Sequence, residues 1–84
     1  MGELKEAYIE NLIQKEFLNR TGITFEIEKG CGWIYMQEDI KVRWNLEYIQ
    51  IEDKIETNLL KAIIETIDYL QDEFREQIRV YLWG

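Results

Sequence analysis

Eighty-four residues are enough for one small domain, so we expect residues 1–84 to form a single domain with one core. Hydrophobic side chains make up 46% of the chain and aromatic ones 13%, which excludes a disordered protein and favours a folded globule. With 17 acidic and 10 basic residues the net charge is -7, which disfavours direct binding to nucleic acid because a phosphate backbone is repelled.

The sequence shows no pattern typical of export or of a membrane protein. The opening MGELKEAY lacks the basic, apolar and small-residue succession of a signal peptide, and the apolar runs are far shorter than a bilayer span. The single cysteine excludes an internal disulfide and suits a reducing compartment. We therefore predict a cytoplasmic protein with no membrane partner, located in the host cytoplasm if its source is viral.

Residue types that many active sites need are missing, since the chain has no histidine and no serine. Without histidine the usual general base near neutral pH is absent, and Ser-His-Asp or Cys-His arrangements cannot be assembled from one chain. A metal site is also disfavoured, because there is no second cysteine and no calcium loop with spaced aspartates and a glycine. We predict a protein that is not an enzyme and that holds no cofactor or metal ion.

Apolar residues at spacings of three and four predict an N-terminal helix from Glu3 to Arg20. The glycine at position 22 can take the left-handed conformation that ends a helix. Two adjacent rows of apolar side chains form the stripe: Leu4, Tyr8 and Leu12, and Ile9, Ile13 and Phe17.

The period then changes to two, which is typical of strands with one buried face. Three strands are predicted: Ile23–Glu28, Trp33–Met36 and Ile40–Leu46. Their order along the chain and the short connections between them favour an antiparallel meander.

The hairpin turns set which side chains of the middle strand face the core. A two-residue turn at positions 30 and 31 places Ile34 opposite Ile27, and a three-residue loop at 37–39 places Met36 opposite Ile40. Both hairpins then turn the side chains at positions 34 and 36 inward. Trp33 and Tyr35 are left on the outer face of the sheet.

A second helix is predicted to begin near Asp53, which would cap the first turn together with Glu56 three residues later. Its tail, residues 78–84, fits either a continued helix or an added edge strand, because that segment also alternates. The apolar row of this helix is Ile55, Leu59, Ile63, Ile67, Leu70, Phe74, Ile78 and Tyr81.

This order predicts an α+β two-layer sandwich, in which a three-stranded antiparallel meander is covered on one face by an N-terminal and a long C-terminal helix (α-β-β-β-α). It resembles the double-stranded-RNA-binding domain in topology and approximate length. That family binds RNA through a lysine-rich segment at the start of its second helix, whereas residues 51–56 here read IEDKIE. The resemblance therefore implies a fold and no RNA-binding residue.

Two candidate sites for catalysis have simpler structural explanations. Cys31 lies between glycines, as a tight turn requires, and lacks the cation, helix N-terminus or histidine that activates a nucleophilic thiol. Glu38–Asp39 and Glu52–Asp53 are adjacent carboxylates, but one pair falls in a predicted loop and the other at a predicted helix cap. We favour the structural explanation for both sites.

A line of carboxylates on the second helix is a candidate protein-docking surface. The acidic band consists of Glu65, Asp68, Asp72 and Glu76, which fall on the side opposite the apolar row. At about 1.5 Å rise per residue the band is roughly 16 Å long, and its gaps are near the spacing of successive phosphates along a nucleic-acid strand. The alternative is a solvated face, since Lys61, Arg75 and Arg79 lie in or beside the same band. Lys61–Glu65 and Asp72–Arg75 have the spacing of helical ion pairs.

The outer face of the predicted sheet is a second candidate surface. The predicted rows across the strands are Glu28, Trp33 and Arg43, and Glu26, Tyr35 and Lys41. Tryptophan, tyrosine and arginine together are typical of the centre of a protein interface. The alternative is an exposed cation–π pair in which Arg43 stacks on Trp33 and does nothing more.

From these features we predict a small acidic module that binds another protein. In the favoured mechanism the acidic band replaces phosphates in a basic nucleic-acid groove of the partner, and Trp33 and Tyr35 supply an apolar anchor. In size, charge and α+β build the chain is similar to small phage-encoded inhibitors, such as some anti-CRISPR proteins and the uracil-DNA glycosylase inhibitor, which share no motif. The alternatives are a structural or regulatory homodimer, and a small enzyme with a carboxylate pocket.

Overall fold

The computed structural model describes residues 2–52 and 54–84, with side chains from residue 6 onward. The elements follow in this order: α1 (Gly2–Thr21), β1 (Glu26–Gly30), β2 (Trp33–Gln37), β3 (Lys41–Trp44), β4 (Ile49–Ile51) and α2 (Thr57–Trp83). The strands form one antiparallel sheet in the order β1-β2-β3-β4. The predicted α+β arrangement is confirmed, but within the described residues the sheet has four strands and not three.

The fourth strand exists because the chain reverses after Trp44, where the sequence pattern predicted that the third strand would continue to Leu46. The Asn45 N–H donates to the Tyr48 carbonyl over 3.0 Å, and the Asn45 side-chain oxygen accepts from the backbone N–H groups of Glu47 and Tyr48. Asparagine favours such turns because its side chain satisfies backbone donors locally. Residues 49–51 can then pair with β3.

The core lies between the inner face of the sheet and the two helices. Trp44 is fully buried and its indole N–H donates to the sulfur of Met36 over 3.2 Å. Phe17 and Phe25 join α1 to the segment before β1 with an edge-to-face contact of 5.4 Å. The other buried apolar residues are Ile9, Ile13, Ile34, Val42, Ile63, Ile67, Leu70, Ile78, Tyr81 and Leu82.

The two apolar rows predicted for α1 differ in burial among the side chains that the structure describes. Ile9, Ile13 and Phe17 are buried, whereas Tyr8 of the other row is 62% exposed. The helix ends as predicted at Gly22, which has φ +76° and donates its N–H to the Leu18 carbonyl. Over residues 8–17 the buried stripe of α1 is therefore narrower than the sequence pattern indicated.

The first hairpin turn lies one residue later than predicted. Gly30 is opposite Trp33, so the turn residues are Cys31 and Gly32 and not 30 and 31. Both have positive φ, 54° and 77°, which is the backbone of a type I′ turn. This turn follows the right-handed twist of the strands that it joins.

Both predicted strand registers are wrong by two residues. Ile34 lies opposite Lys29 and Trp44, and Met36 lies opposite Ile27 and Val42. A shift of two leaves the side of every residue unchanged, because side chains alternate with a period of two. Ile34 and Met36 are therefore buried, as predicted, despite the wrong partners.

The second helix begins at Thr57, later than predicted. Glu56 is its N-cap, and the Glu56 carboxylate accepts from the N–H groups of Asn58 and Leu59 at 3.0 and 3.1 Å. Ile55, predicted to be helical, precedes the helix but packs against the core. The capping role predicted for Asp53 lies outside the described residues.

The last residues continue α2 as far as Trp83, and no edge strand forms from the tail. The backbone is non-helical at Phe74, where φ is -129° and ψ is 31°, so α2 is kinked there. The end of the helix lies against the first hairpin, because a Cβ on Gly32 would be 3.1 Å from the Trp83 indole nitrogen.

Replacing Cys31 with Asn should stabilise the fold. Cys31 has a positive φ, which is unfavourable for a residue with a Cβ because the Cβ comes too close to the following carbonyl oxygen. Asparagine tolerates this conformation better than cysteine. We expect Cys31→Asn to raise the free energy of unfolding by about 0.5 to 1 kcal/mol, measured by urea denaturation under reducing conditions. Cys31→Val, which is β-branched, should lower it by at least as much. Equal stability of the two variants would contradict the turn geometry.

Candidate functional site

An aromatic and arginine cluster lies on the outer face, the side of the sheet turned away from the helices. The Arg43 guanidinium lies over the Trp33 ring, 4.6 Å from its centre, and the Arg43 Nε donates to the Gln50 side chain over 2.6 Å. The Tyr48 ring lies 6.4 Å from that of Trp33. Arg43 is thus held between β2 and β4, which fixes one planar cation among aromatic rings.

Tyr35 extends this cluster toward β1. Its ring lies over Gly30, where an added Cβ would be 3.6 Å from the ring edge. Tyr35 is 38% exposed and Tyr48 60% exposed, so both rings contact solvent. A small depression of about 120 Å³ beside Tyr35 is also lined by Lys41 and Glu52. Helices α1 and α2 leave this face uncovered because they pack on the other one.

The rows predicted for this face are wrong by the same register shift of two. Tyr35, and not Trp33, lies between Glu28 and Arg43. Trp33 is opposite Gly30 and reaches the guanidinium diagonally. The other row across β1, β2 and β3 is Glu26, Gln37 and Lys41.

Sequence reasoning missed Tyr48 and Gln50 as members of the surface. Both depend on β4, which was not predicted, and Gln50 lies opposite Arg43 in the sheet. The segment Tyr48-Ile49-Gln50-Ile51 does alternate polar and apolar residues, and this pattern was the available signal.

The acidic band lies on the exposed side of α2. All four residues, Glu65, Asp68, Asp72 and Glu76, are exposed. Among the described residues, Glu65, Asp68 and Asp72 form no salt bridge, and the Lys61–Glu65 and Asp72–Arg75 pairs that the spacing suggested are not formed. Three members of the band therefore present carboxylates to solvent with no salt-bridge partner among the described residues.

Glu76 differs from the other three members of the acidic band. Two side-chain nitrogens of Arg79, Nε and Nη2, donate to its carboxylate at 3.1 and 2.5 Å. These hydrogen bonds, together with the charge of Arg79, lower the pKa of Glu76. The kink at Phe74 separates Glu76 from Asp72, so the band is a straight line only over residues 65–72.

The two predicted docking surfaces lie on different layers of the molecule. Trp33, Tyr35 and Arg43 belong to the outer face of the sheet. The acidic band is on the side of α2 opposite its buried residues, and α2 covers the inner face. One flat partner surface cannot contact both, so the structure separates the two halves of the predicted mechanism.

The candidate catalytic groups are exposed side chains in turns. Cys31 is exposed at the tip of the first hairpin. Glu38 and Asp39 are exposed in the β2–β3 loop, where the Glu38 carboxylate accepts from the Asp39 N–H over 2.7 Å. Among the described residues no three acidic or cysteine side chains are grouped so as to hold a metal ion. The other predicted carboxylate pair, Glu52–Asp53, includes Asp53, which lies outside the described residues.

A groove of about 530 Å³ separates the first half of α1 from the end of α2. Lys29 lines this groove, and its amine donates to the Tyr81 carbonyl over 2.8 Å and forms a salt bridge with Glu6 at 2.9 Å. The Tyr81 hydroxyl donates to Glu10 over 2.6 Å. Burial, then this bond, and then the charges of Glu10, Glu6 and Glu28, raise the pKa of Tyr81. These polar contacts join β1 to both helices.

Comparison with family models, curated proteins and solved structures found no match for this chain. The topological resemblance to the double-stranded-RNA-binding domain thus has no support from a match in sequence or structure. Neither α1 nor α2, within the part of the chain that the structure describes, is long and apolar enough to cross a bilayer.

The pairing of Glu76 with Arg79 is testable by titration. We expect the Glu76 carboxyl to titrate below the ordinary glutamate value, followed by carbon-detected NMR, because Arg79 stabilises its charged form. A lowered folded-state pKa stabilises the fold above the unfolded-state pKa, and this contribution disappears as the pH falls through the lowered value. Arg79→Gln should raise the pKa of Glu76 toward the ordinary glutamate value. Arg75→Gln is the control and should leave the pKa of Glu76 unchanged. An unchanged Glu76 pKa in Arg79→Gln would contradict the pairing.

Proposed function

We propose that the protein is a non-enzymatic binding module that docks on another protein through the outer face of its sheet. The observation that supports this proposal is the cluster of Trp33, Arg43 and Tyr48 on a face that neither helix covers. An uncovered group of aromatic rings is unusual on a protein that works alone, and such groups mark interaction sites.

The geometry of the cluster suits docking because its side chains are already ordered. Arg43 is fixed by the Trp33 ring and by Gln50, so binding does not have to immobilise a long flexible side chain. Tyrosine, tryptophan and arginine carry much of the binding energy in known interfaces. Glu26 and Glu28 on β1 form a charged rim beside the rings.

This proposal predicts that loss of the exposed rings abolishes partner capture. We expect immobilised protein with Tyr35→Gln and Tyr48→Gln to lose proteins that the parent chain retains from a bacterial lysate, identified by mass spectrometry. The matched control is Tyr8→Gln, since Tyr8 on α1 is 62% exposed and Tyr48 is 60% exposed. Capture of the same proteins by all three forms would contradict docking through the outer face.

A second candidate function is inhibition by mimicry of a nucleic acid, and the acidic band supports it. Glu65, Asp68 and Asp72 are exposed on one side of α2 and unpaired among the described residues. At about 1.5 Å rise per residue these carboxylates span roughly 10 Å, which is two phosphate steps on one strand. A basic groove in a nucleic-acid-processing protein would be the partner.

Charge reversal separates the two candidate functions. We expect Glu65→Lys, Asp68→Lys and Asp72→Lys together to remove any captured partner whose retention falls steeply with salt, because the partner's basic groove would then be repelled. The control reverses Glu38, Asp39 and Glu47, which are exposed acids of the loops and change the net charge equally. Retention of every salt-sensitive partner by the first variant would exclude mimicry by the band.

A further inference from the structure

The outer face carries three parallel stripes of different character. The acidic stripe is Glu26 and Glu28 on β1, the aromatic stripe is Trp33 and Tyr35 on β2, and the basic stripe is Lys41 and Arg43 on β3. The Cα register places Glu28 beside Tyr35 and Tyr35 beside Arg43. Glu26 and Lys41 lie in the same relation on either side of Gln37. Acid and cation thus occupy equivalent positions on opposite sides of β2.

This order makes the face complementary to its own image. A two-fold axis that lies between two facing sheets, parallel to β2, brings the β1 of one copy over the β3 of the other. Glu28 then faces Arg43 of the second copy, and Glu26 faces Lys41. Tyr35 faces its own symmetry mate, because the axis runs along β2. Rotation about an axis across the strands would instead set acid against acid.

We propose that the partner of the outer face is a second copy of this chain, paired about a two-fold axis parallel to β2. This inference rests on the proposed function, because it uses the same docking face and names its occupant. The formal charges of the acidic and basic stripes cancel within the face, although the chain as a whole carries -7. A different protein would need its own charged residues at positions that complement the acidic and basic stripes. A second copy has complementary charges at those positions because of the two-fold symmetry.

The size of the face sets the expected strength of the pairing. The overlap of the two faces contains three strands about 4.8 Å apart and about five residues long, which cover roughly 10 by 17 Å. The area is well below the roughly 800 Å² per partner of a standard stable interface. β4 lies outside the overlap of the two faces. We therefore expect a weak dimer with a dissociation constant on the order of 0.1 mM, visible only at high concentration.

Two stripe variants test the pairing by sedimentation equilibrium from about 10 µM to about 1 mM, a range that brackets the expected constant. The double variant Glu26→Lys with Glu28→Lys makes the stripes on β1 and β3 both basic. The double variant Lys41→Glu with Arg43→Glu makes both of these stripes acidic. Each variant alone should be monomeric, since like charges then face each other. Their equimolar mixture should form a heterodimer about as tight as the parent dimer, because every facing pair is again opposite in sign, as it is in the parent.

Controls keep the result interpretable. Circular dichroism and thermal melting check that each variant is folded. If Arg43→Glu unfolds the protein, two single variants replace the double ones. A mixture of Glu26→Lys and Lys41→Glu then tests the facing pair of Glu26 and Lys41 alone. Glu65→Lys with Asp68→Lys makes the same charge change on α2 and should leave the parent dimer intact.

Each outcome either supports or overturns the pairing. A parent chain and a variant mixture that both stay monomeric to about 1 mM would overturn it, as would a parent dimer that survives both stripe reversals. If the protein is monomeric while Tyr35→Gln with Tyr48→Gln still loses a captured protein, the docking face stands and only the second copy is wrong. If it is monomeric and that variant loses nothing, the proposed function fails as well.

Discussion

The alternation of side chains across the sheet is the constraint on which the rest of the structure depends. Trp44, Ile34 and Met36 are fully or almost fully buried, and each requires its strand neighbours to point to the other side. Once these three are inside, Trp33, Tyr35 and Arg43 have no direction left except outward. The candidate docking surface is thus a direct consequence of core packing. A slip of one residue in β2 would turn its core side chains outward and its surface side chains inward.

That dependence explains how much could be predicted from sequence. The sidedness of β2 was predicted correctly although both strand registers were wrong, because an error of two residues preserves which face a residue occupies. The exact partners needed the turn at Cys31 and Gly32, and sequence favoured a glycine at the first turn position. A cysteine with positive φ is uncommon, so that position carried no local signal for a type I′ turn. The fourth strand was missed because three residues are too few for periodicity to decide.

The two-layer arrangement separates surfaces that the sequence alone placed in one mechanism. From the sequence, the acidic band and the outer face of the sheet are both candidate docking surfaces. In the fold, one belongs to the helical layer and the other to the sheet, with the core between them. Each must therefore act alone or engage a different partner, and the kink at Phe74 further shortens the straight part of the band.

The distribution of charge favours pairing through the sheet over pairing through the helices. Helix α2 carries five acidic residues against three basic ones, so two copies joined by their helical layers would place like charges in contact. Sheets that face each other lie about 10 Å apart, and each helical layer adds roughly another 10 Å. The acidic bands of the two copies would then be about 30 Å apart, well beyond the Debye length of about 8 Å at physiological salt. The net charge of -7 therefore opposes a helix-to-helix dimer strongly and a sheet-to-sheet dimer only weakly.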